Sequence, residues 1–130
     1  MMTDAERFIG RDPSWLEFNR RVLAEAMDDR TPLLERVKFL TIFASNLDEF
    51  FMKRVGMLKR RSLAGLELPT HDGRSVRENL AQIRSTVIGL CREQAWCYQR
   101  QIIPALNDAG IQILDYADLN DPDRERLDDW

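Results

Sequence analysis

The sequence predicts an all-α protein, an antiparallel helical bundle in which three short helices pack on one long, kinked helix. Three observations carry that expectation. Apolar residues recur every three or four positions through most of the 130 residues, the spacing of a buried helix face. Two capping boxes, Ser14 with Glu17 and Ser75 with Glu78, mark helix starts. No alternating apolar and polar run of the kind a half-buried strand needs occurs before residue 111.

Ser14 is the expected cap of the first helix, with Pro13 just before it or in its first turn. Trp15, Phe18, Val22 and Ala26 then recur at helical spacing, Leu16 and Leu23 widen the stripe, and Asp28-Asp29 marks the end. Thr31-Pro32 opens the second helix, Thr31 as cap, with Leu33, Val37, Leu40 and Ala44 on one face and Phe39 and Phe43 beside it. Asn46-Leu47-Asp48-Glu49 reads as a fresh N-terminus, because Asn46 can cap and Glu49 can reach back. A third helix is therefore expected from Leu47 to about Arg61, with Leu47, Phe51, Val55 and Leu58 as its stripe and Phe50 and Met57 flanking. A single continuous helix through Asn46 is the alternative. Trp15, Phe18, Leu40, Phe43 and Phe51 are expected among the most buried side chains.

Residues 64–75 contain Gly65, Pro69 and Gly73 and read as the main loop. From Ser75 a helix of about thirty residues is expected, lined by Val76, Leu80, Ile83, Val87 and Leu90 and then by Cys91, Ala95, Tyr98, Ile102 and Leu106. Pro104 should kink it, since proline lacks the backbone donor, and Gly110 is a good stop. Ile111–Leu114 is too short to make a sheet. Asp121-Pro122 opens a last helix that reaches Trp130 with no stop signal, as though a larger protein continued beyond it.

Composition narrows the function classes. With 44% hydrophobic and 32% charged residues the chain reads as a soluble globular domain and not as disordered. Its 19 bases against 22 acids give a net charge of −3, so no global basicity argues for nucleic acid. No run approaches the ~20 apolar residues of a membrane span and the start lacks an apolar signal region. The expected location is cytoplasmic, with association at the inner face of the membrane left open.

Catalysis has little to draw on. His71, the only histidine, sits in the Pro/Gly loop with no Ser or Cys partner nearby and reads as a solvated side chain. Cys91 and Cys97 lie on different helix faces and read as reduced, partly buried thiols without zinc spacing. Asp48 and Glu49 are adjacent on a helix and diverge by about 100°, a poor metal pair. No catalytic and no metal-binding residue is therefore assigned. Between Arg36 and Arg61 lie seven bases (Arg36, Lys38, Lys53, Arg54, Lys59, Arg60, Arg61) and two acids. They read either as a solvated helix face or as a positive surface for a polyanion such as polyphosphate or nucleic acid.

Three ordered blocks add a sharper signal: Ser14-Trp15-Leu16-Glu17-Phe18-Asn19-Arg20-Arg21-Val22-Leu23, then Pro32-Leu33-Leu34-Glu35-Arg36 with Phe39-Leu40, then Ser45-Asn46-Leu47-Asp48-Glu49-Phe50-Phe51. Together they resemble the start of the bacterial polyphosphate kinases of the phosphohistidine type, densely over the first sixty residues and loosely along the long helix. The resemblance implies a helical N-terminal domain over residues 1–110 and, over 111–130, the beginning of the connection into a following head domain. It implies a full-length enzyme that reversibly moves the terminal phosphate of ATP onto polyphosphate through a phosphohistidine, with Mg2+. The catalytic histidines and metal residues would lie outside this chain, which alone should be inactive and hold no cofactor tightly. One site residue carries over: Asn46, as a contact to the adenine end of ATP. The implied partners are ATP, polyphosphate, the remaining domains and a second copy across a dimer interface, with no nucleic acid and no membrane span. Two rival classes stand beside this reading, a stand-alone helical interaction module and a weak polyanion-binding or nucleic-acid-binding bundle.

Overall fold

The computed structural model describes residues 11–65 and 75–130. The described residues are all helix and connection, with no strand among them. Helix α1 is Arg11–Met27. Helix α2 runs unbroken over 33–63 as an α stretch Leu33–Phe50, a π turn Phe51–Val55 and a second α stretch Gly56–Leu63. Helix α3 covers 76–108 in the same manner, Val76–Cys97, a π turn Tyr98–Ile102, then Ile103–Asp108. A 3-10 turn at Tyr116–Asp118 and a short helix α4, Asp121–Asp128, follow. The expected three short helices on one long one are thus corrected to two long helices, of 31 and 33 residues, with α1 packed along both.

The expected corner at Asn46 does not exist. Asn46 lies in the middle of α2, where every backbone N–H already has an intrahelical acceptor and a cap has nothing to satisfy. The sequence does change phase after Leu47, but a π turn absorbs the change. The buried residues are Leu47, Phe50, Val55 and Leu58, and the five-residue step from Phe50 to Val55 spans the turn. Phe50 rather than Phe51 therefore enters the core, and Phe51 is 40% exposed. In α3 the same five-residue step separates buried Cys97 and Ile102. There the disturbance that Pro104 imposes takes the form of a π turn, with the Ile103 N–H bonded to the Tyr98 carbonyl.

Helix α1 also starts differently from the expectation. It already includes Arg11, so Ser14 is an exposed position inside the helix and not its cap. The buried line is Asp12, Leu16, Asn19, Leu23 and Ala26, which leaves Phe18 50% exposed and Trp15 half-buried. Asn19 holds the place that the stripe assigns to Phe18, Leu16 that of Trp15, and Asp12 adds a buried polar residue one turn earlier. Thr31 is not a cap either. Its N–H closes a turn onto the Asp28 carbonyl at 3.1 Å, and Pro32 takes the cap position with no side-chain bond. In that turn the Arg30 guanidinium holds the Asp28 carboxyl down at about 2.

Other signals hold. Ser75 Oγ accepts from the Glu78 N–H at 3.1 Å. Gly110, at φ +82°, ends α3 in a Schellman arrangement, with Ile111 N–H on the Leu106 carbonyl and Gly110 N–H on the Asn107 carbonyl. Gly65 ends α2 at φ +71°, and the rest of the expected loop, His71 included, lies outside the described residues. The second half of the expected α3 stripe does not hold: Cys91, Ala95 and Tyr98 are exposed, and the buried line runs through Leu90, Cys97, Ile102 and Leu106. Both cysteines are free thiols, and burial pushes the Cys97 thiol up.

Cross-helix pairs fix the directions of the bundle. Going up α1, Asp12 meets Arg54, Trp15 meets Phe50, Asn19 meets Asn46 and Ala26 meets Arg36, so α1 and α2 are antiparallel. Asp12 meets Asn79 and Ala26 meets Cys97, so α3 runs with α1 and against α2. Phe43, Leu23, Leu58, Leu90 and Ile102 are among the fully buried side chains between them.

Candidate functional site

Asn is a poor residue for a helix interior, because its amide competes for backbone groups and its side chain loses freedom. Asn46 stands there because α1 supplies a partner. Its Nδ2 donates to Asn19 Oδ1 at 3.1 Å, and Asn19 Nδ2 in turn donates to the Phe43 carbonyl at 3.2 Å. Asn19 is fully buried and Asn46 half-buried, so the chain of amides runs from the core to the edge of the groove between α1 and α2. Asn46 Oδ1 accepts no hydrogen bond from any described residue. Ile42 and Glu49 occupy the neighbouring turns of the same α2 face, and exposed Phe18 adjoins Asn19 on α1.

One turn further along the groove, Trp15 stacks on Phe50 with ring centroids 4.6 Å apart and planes 12° from parallel. They border a cavity of about 230 Å³ lined also by Asp12, Glu49, Lys53 and Arg54. Lys53 bonds Glu49 at 2.8 Å and holds its carboxyl below the usual range. Asp12, nearly inaccessible, takes two bonds from Arg54, at 2.7 and 3.0 Å, and one from Asn79 at 3.1 Å. The carboxylate keeps the Arg54 guanidinium above its ordinary value. Asn79 Oδ1 is the single buried side-chain polar atom among the described residues without a partner.

The seven bases between Arg36 and Arg61 do not form one surface. Arg36 is buried and donates to the Ala26 carbonyl, at the end of α1, and to Gln101 Oε1. Lys38 pairs with Glu35, Lys53 with Glu49 and Arg54 with Asp12. Lys59, Arg60 and Arg61 stand exposed in the last turns of α2, where cations favour the helix terminus. Among the described residues no three His, Cys, Asp or Glu side chains come together to hold a metal, and no helix is long and apolar enough to cross a membrane.

Asn46 is half-buried, and the sequence reading assigns no site to the polar residues that are buried, Asn19, Asp12, Asn79 and Arg36. A signal was present for the first three. Each occupies a core register of its helix, between apolar residues three or four positions away, and a polar residue in that register needs a partner across the bundle. Arg36 was counted with the surface cations because it is flanked by charge.

The arrangement offers a carboxamide held on its nitrogen side at the α1–α2 interface, one turn from the cavity beside Trp15 and Phe50. It offers no nucleophile paired with a base. Comparison with known proteins agrees with the sequence blocks. Residues 8–114 match the family model described as the polyphosphate kinase N-terminal domain. A polyphosphate kinase of Mycobacterium marinum is 48% identical over 122 residues, covering 94% of this chain and 16% of that protein. One of Parasynechococcus marenigrum is 45% identical over 124 residues, and one of Mycobacterium tuberculosis 48% over 123, each covering 95% of this chain and 17% of the relative. The chain thus spans about a sixth of the length of these relatives. No solved structure gives a significant match. With the family model covering most of the chain and relatives near 48% identity, the chain belongs to the polyphosphate kinase N-terminal domain family.

Proposed function

We propose that this domain serves an enzyme that reversibly transfers the terminal phosphate of ATP to polyphosphate, and that it supplies a contact to the adenine end through Asn46. The phosphohistidine chemistry belongs to the rest of such an enzyme. Residues 111–130 would begin the connection to the next domain, and their exposed Ile113, Leu114, Leu127 and Trp130 supply apolar surface for interdomain or dimer packing. Mg2+, expected of the full-length enzyme, has no cluster of three ligands among the described residues of this chain, so no step is assigned to it.

The observation that carries the reading is the carboxamide of Asn46, tied down on its nitrogen side and with no donor to its oxygen among the described residues. The side chain is half-buried and this oxygen is open to solvent, so a ligand can reach it. Adenine carries an amino group beside a ring nitrogen, and a carboxamide can serve both, accepting from the first and donating to the second. In the full-length enzyme, Asn46→Ser should raise the KM for ATP by about tenfold with kcat within about twofold, the signature of a lost contact remote from the transferred phosphate. An unchanged KM beside a lowered melting temperature would reduce Asn46 to a packing residue. The 130-residue chain, incubated with γ-labelled ATP, should stay unlabelled. Stable label on His71 would overturn the division of labour.

A further inference from the structure

We infer that Asn19 is a positioning residue that sets the hydrogen-bonding polarity of Asn46, and through it the preference for a 6-amino over a 6-oxo purine; this rests on the reading of Asn46 as the base contact. The polarity begins at the Phe43 carbonyl. A backbone carbonyl can only accept, so the Asn19 amide must turn its Nδ2 toward it, as it does at 3.2 Å. Asn19 Oδ1 is then left facing Asn46, and it too can only accept. Asn46 must therefore present Nδ2 to Asn19, at 3.1 Å, and its own Oδ1 remains for a ligand. Turning Asn46 over would set its Oδ1 against Asn19 Oδ1. Turning both over would set Asn19 Oδ1 against the Phe43 carbonyl. Neither alternative has a hydrogen between the oxygens.

Asn19 is fully buried between apolar neighbours, so no water is at hand to rescue a flipped arrangement. The oxygen that Asn46 offers matches the amino group of adenine, while the remaining N–H can reach a ring nitrogen. Hypoxanthine places a carbonyl oxygen where adenine has the amino group, and a protonated N1 where adenine has a lone pair. Against a fixed Asn46 both contacts become mismatched. Against an Asn46 free to turn over, both are restored.

The test compares ATP with ITP as phosphate donor in the full-length enzyme, for the parent and for Asn19→Leu, Asn19→Asp and Asn46→Ala. The parent should prefer ATP in kcat/KM by about tenfold or more. Asn19→Leu removes the anchor at similar volume and should bring the two donors to within about twofold. Asn19→Asp, its buried carboxyl protonated and donating to the Phe43 carbonyl, keeps an oxygen that accepts from Asn46 and should hold the preference close to that of the parent. If Asn19→Leu does not fold, Asn19→Ser, too short to reach Asn46, is measured for the same ratio. A residue needed only for folding lowers the melting temperature and leaves the ratio intact, and that result would overturn the inference, as would a parent indifferent to the base. Asn46→Ala separates the two levels. If it leaves the KM for ATP unchanged, the base contact itself is wrong. If it raises that KM while Asn19→Leu retains the preference, the contact stands and the polarity relay falls.

Discussion

Phe43→Ala is expected to lower the melting temperature of this chain by roughly 10–25 °C, whereas Phe18→Ala should leave it within a few degrees. Phe43 is wholly inaccessible, and its backbone carbonyl anchors Asn19 of α1. Removing a buried aromatic ring costs about 3–5 kcal/mol, from lost transfer energy and from the cavity left behind. That is a large part of the ~5–15 kcal/mol that holds a domain of this size together. Phe18 is half exposed, so its truncation creates no cavity. The pair tests the assignment of faces more sharply than either alone, because apolar spacing places both rings on a buried stripe. Equal losses would show that the α1 face is turned toward its aromatics after all, and that Asn19 is not the centre of the interface.

What the sequence could show of this fold was its helical class and the long helix that became α3, with its Ser75 cap and its Gly110 stop, all written in local chemistry within a few residues of each element's end. What it hid were two phase shifts. A π turn has no residue signature of its own. It is visible only as a five-residue step between buried positions, Phe50 to Val55 and Cys97 to Ile102, and those positions are known to be buried only once the partner helices are in place. Reading the first step with strict 3.6-residue spacing forces either a break at Asn46 or a false stripe through Phe51. The candidate site was half legible for a related reason. Asn46 stood out through a motif, while the residue that holds it, Asn19, lies 27 positions away in sequence and becomes its neighbour only through the antiparallel packing of α1 on α2.

The ion pair at the other end of the groove should show an asymmetry that follows from its unequal burial. Asp12 keeps 3% of its side-chain exposure and Arg54 keeps 25%. Arg54→Ala strands a carboxylate that cannot reach water, with only the Asn79 amide left to it, and should cost about 3–5 kcal/mol. Asp12→Ala leaves a guanidinium that can swing toward the cavity mouth beside Lys53, so its cost should be smaller, near 2 kcal/mol, most of it from the buried Asn79 amide that loses its acceptor. Arg54→Lys should recover little, because an ammonium cannot repeat the two parallel bonds at 2.7 and 3.0 Å. The double variant Asp12→Leu with Arg54→Met removes both charges and keeps apolar volume, and should be less damaging than Arg54→Ala alone. Chemical denaturation of the parent, Asp12→Ala, Arg54→Ala and the double Asp12→Ala with Arg54→Ala closes the cycle. A coupling of about 1–3 kcal/mol is expected if the pair is desolvated as its burial indicates. A coupling near zero would mean that water screens the pair, and the tie between the start of α1, the π turn of α2 and the start of α3 would then rest on the Trp15–Phe50 stack and the surrounding core.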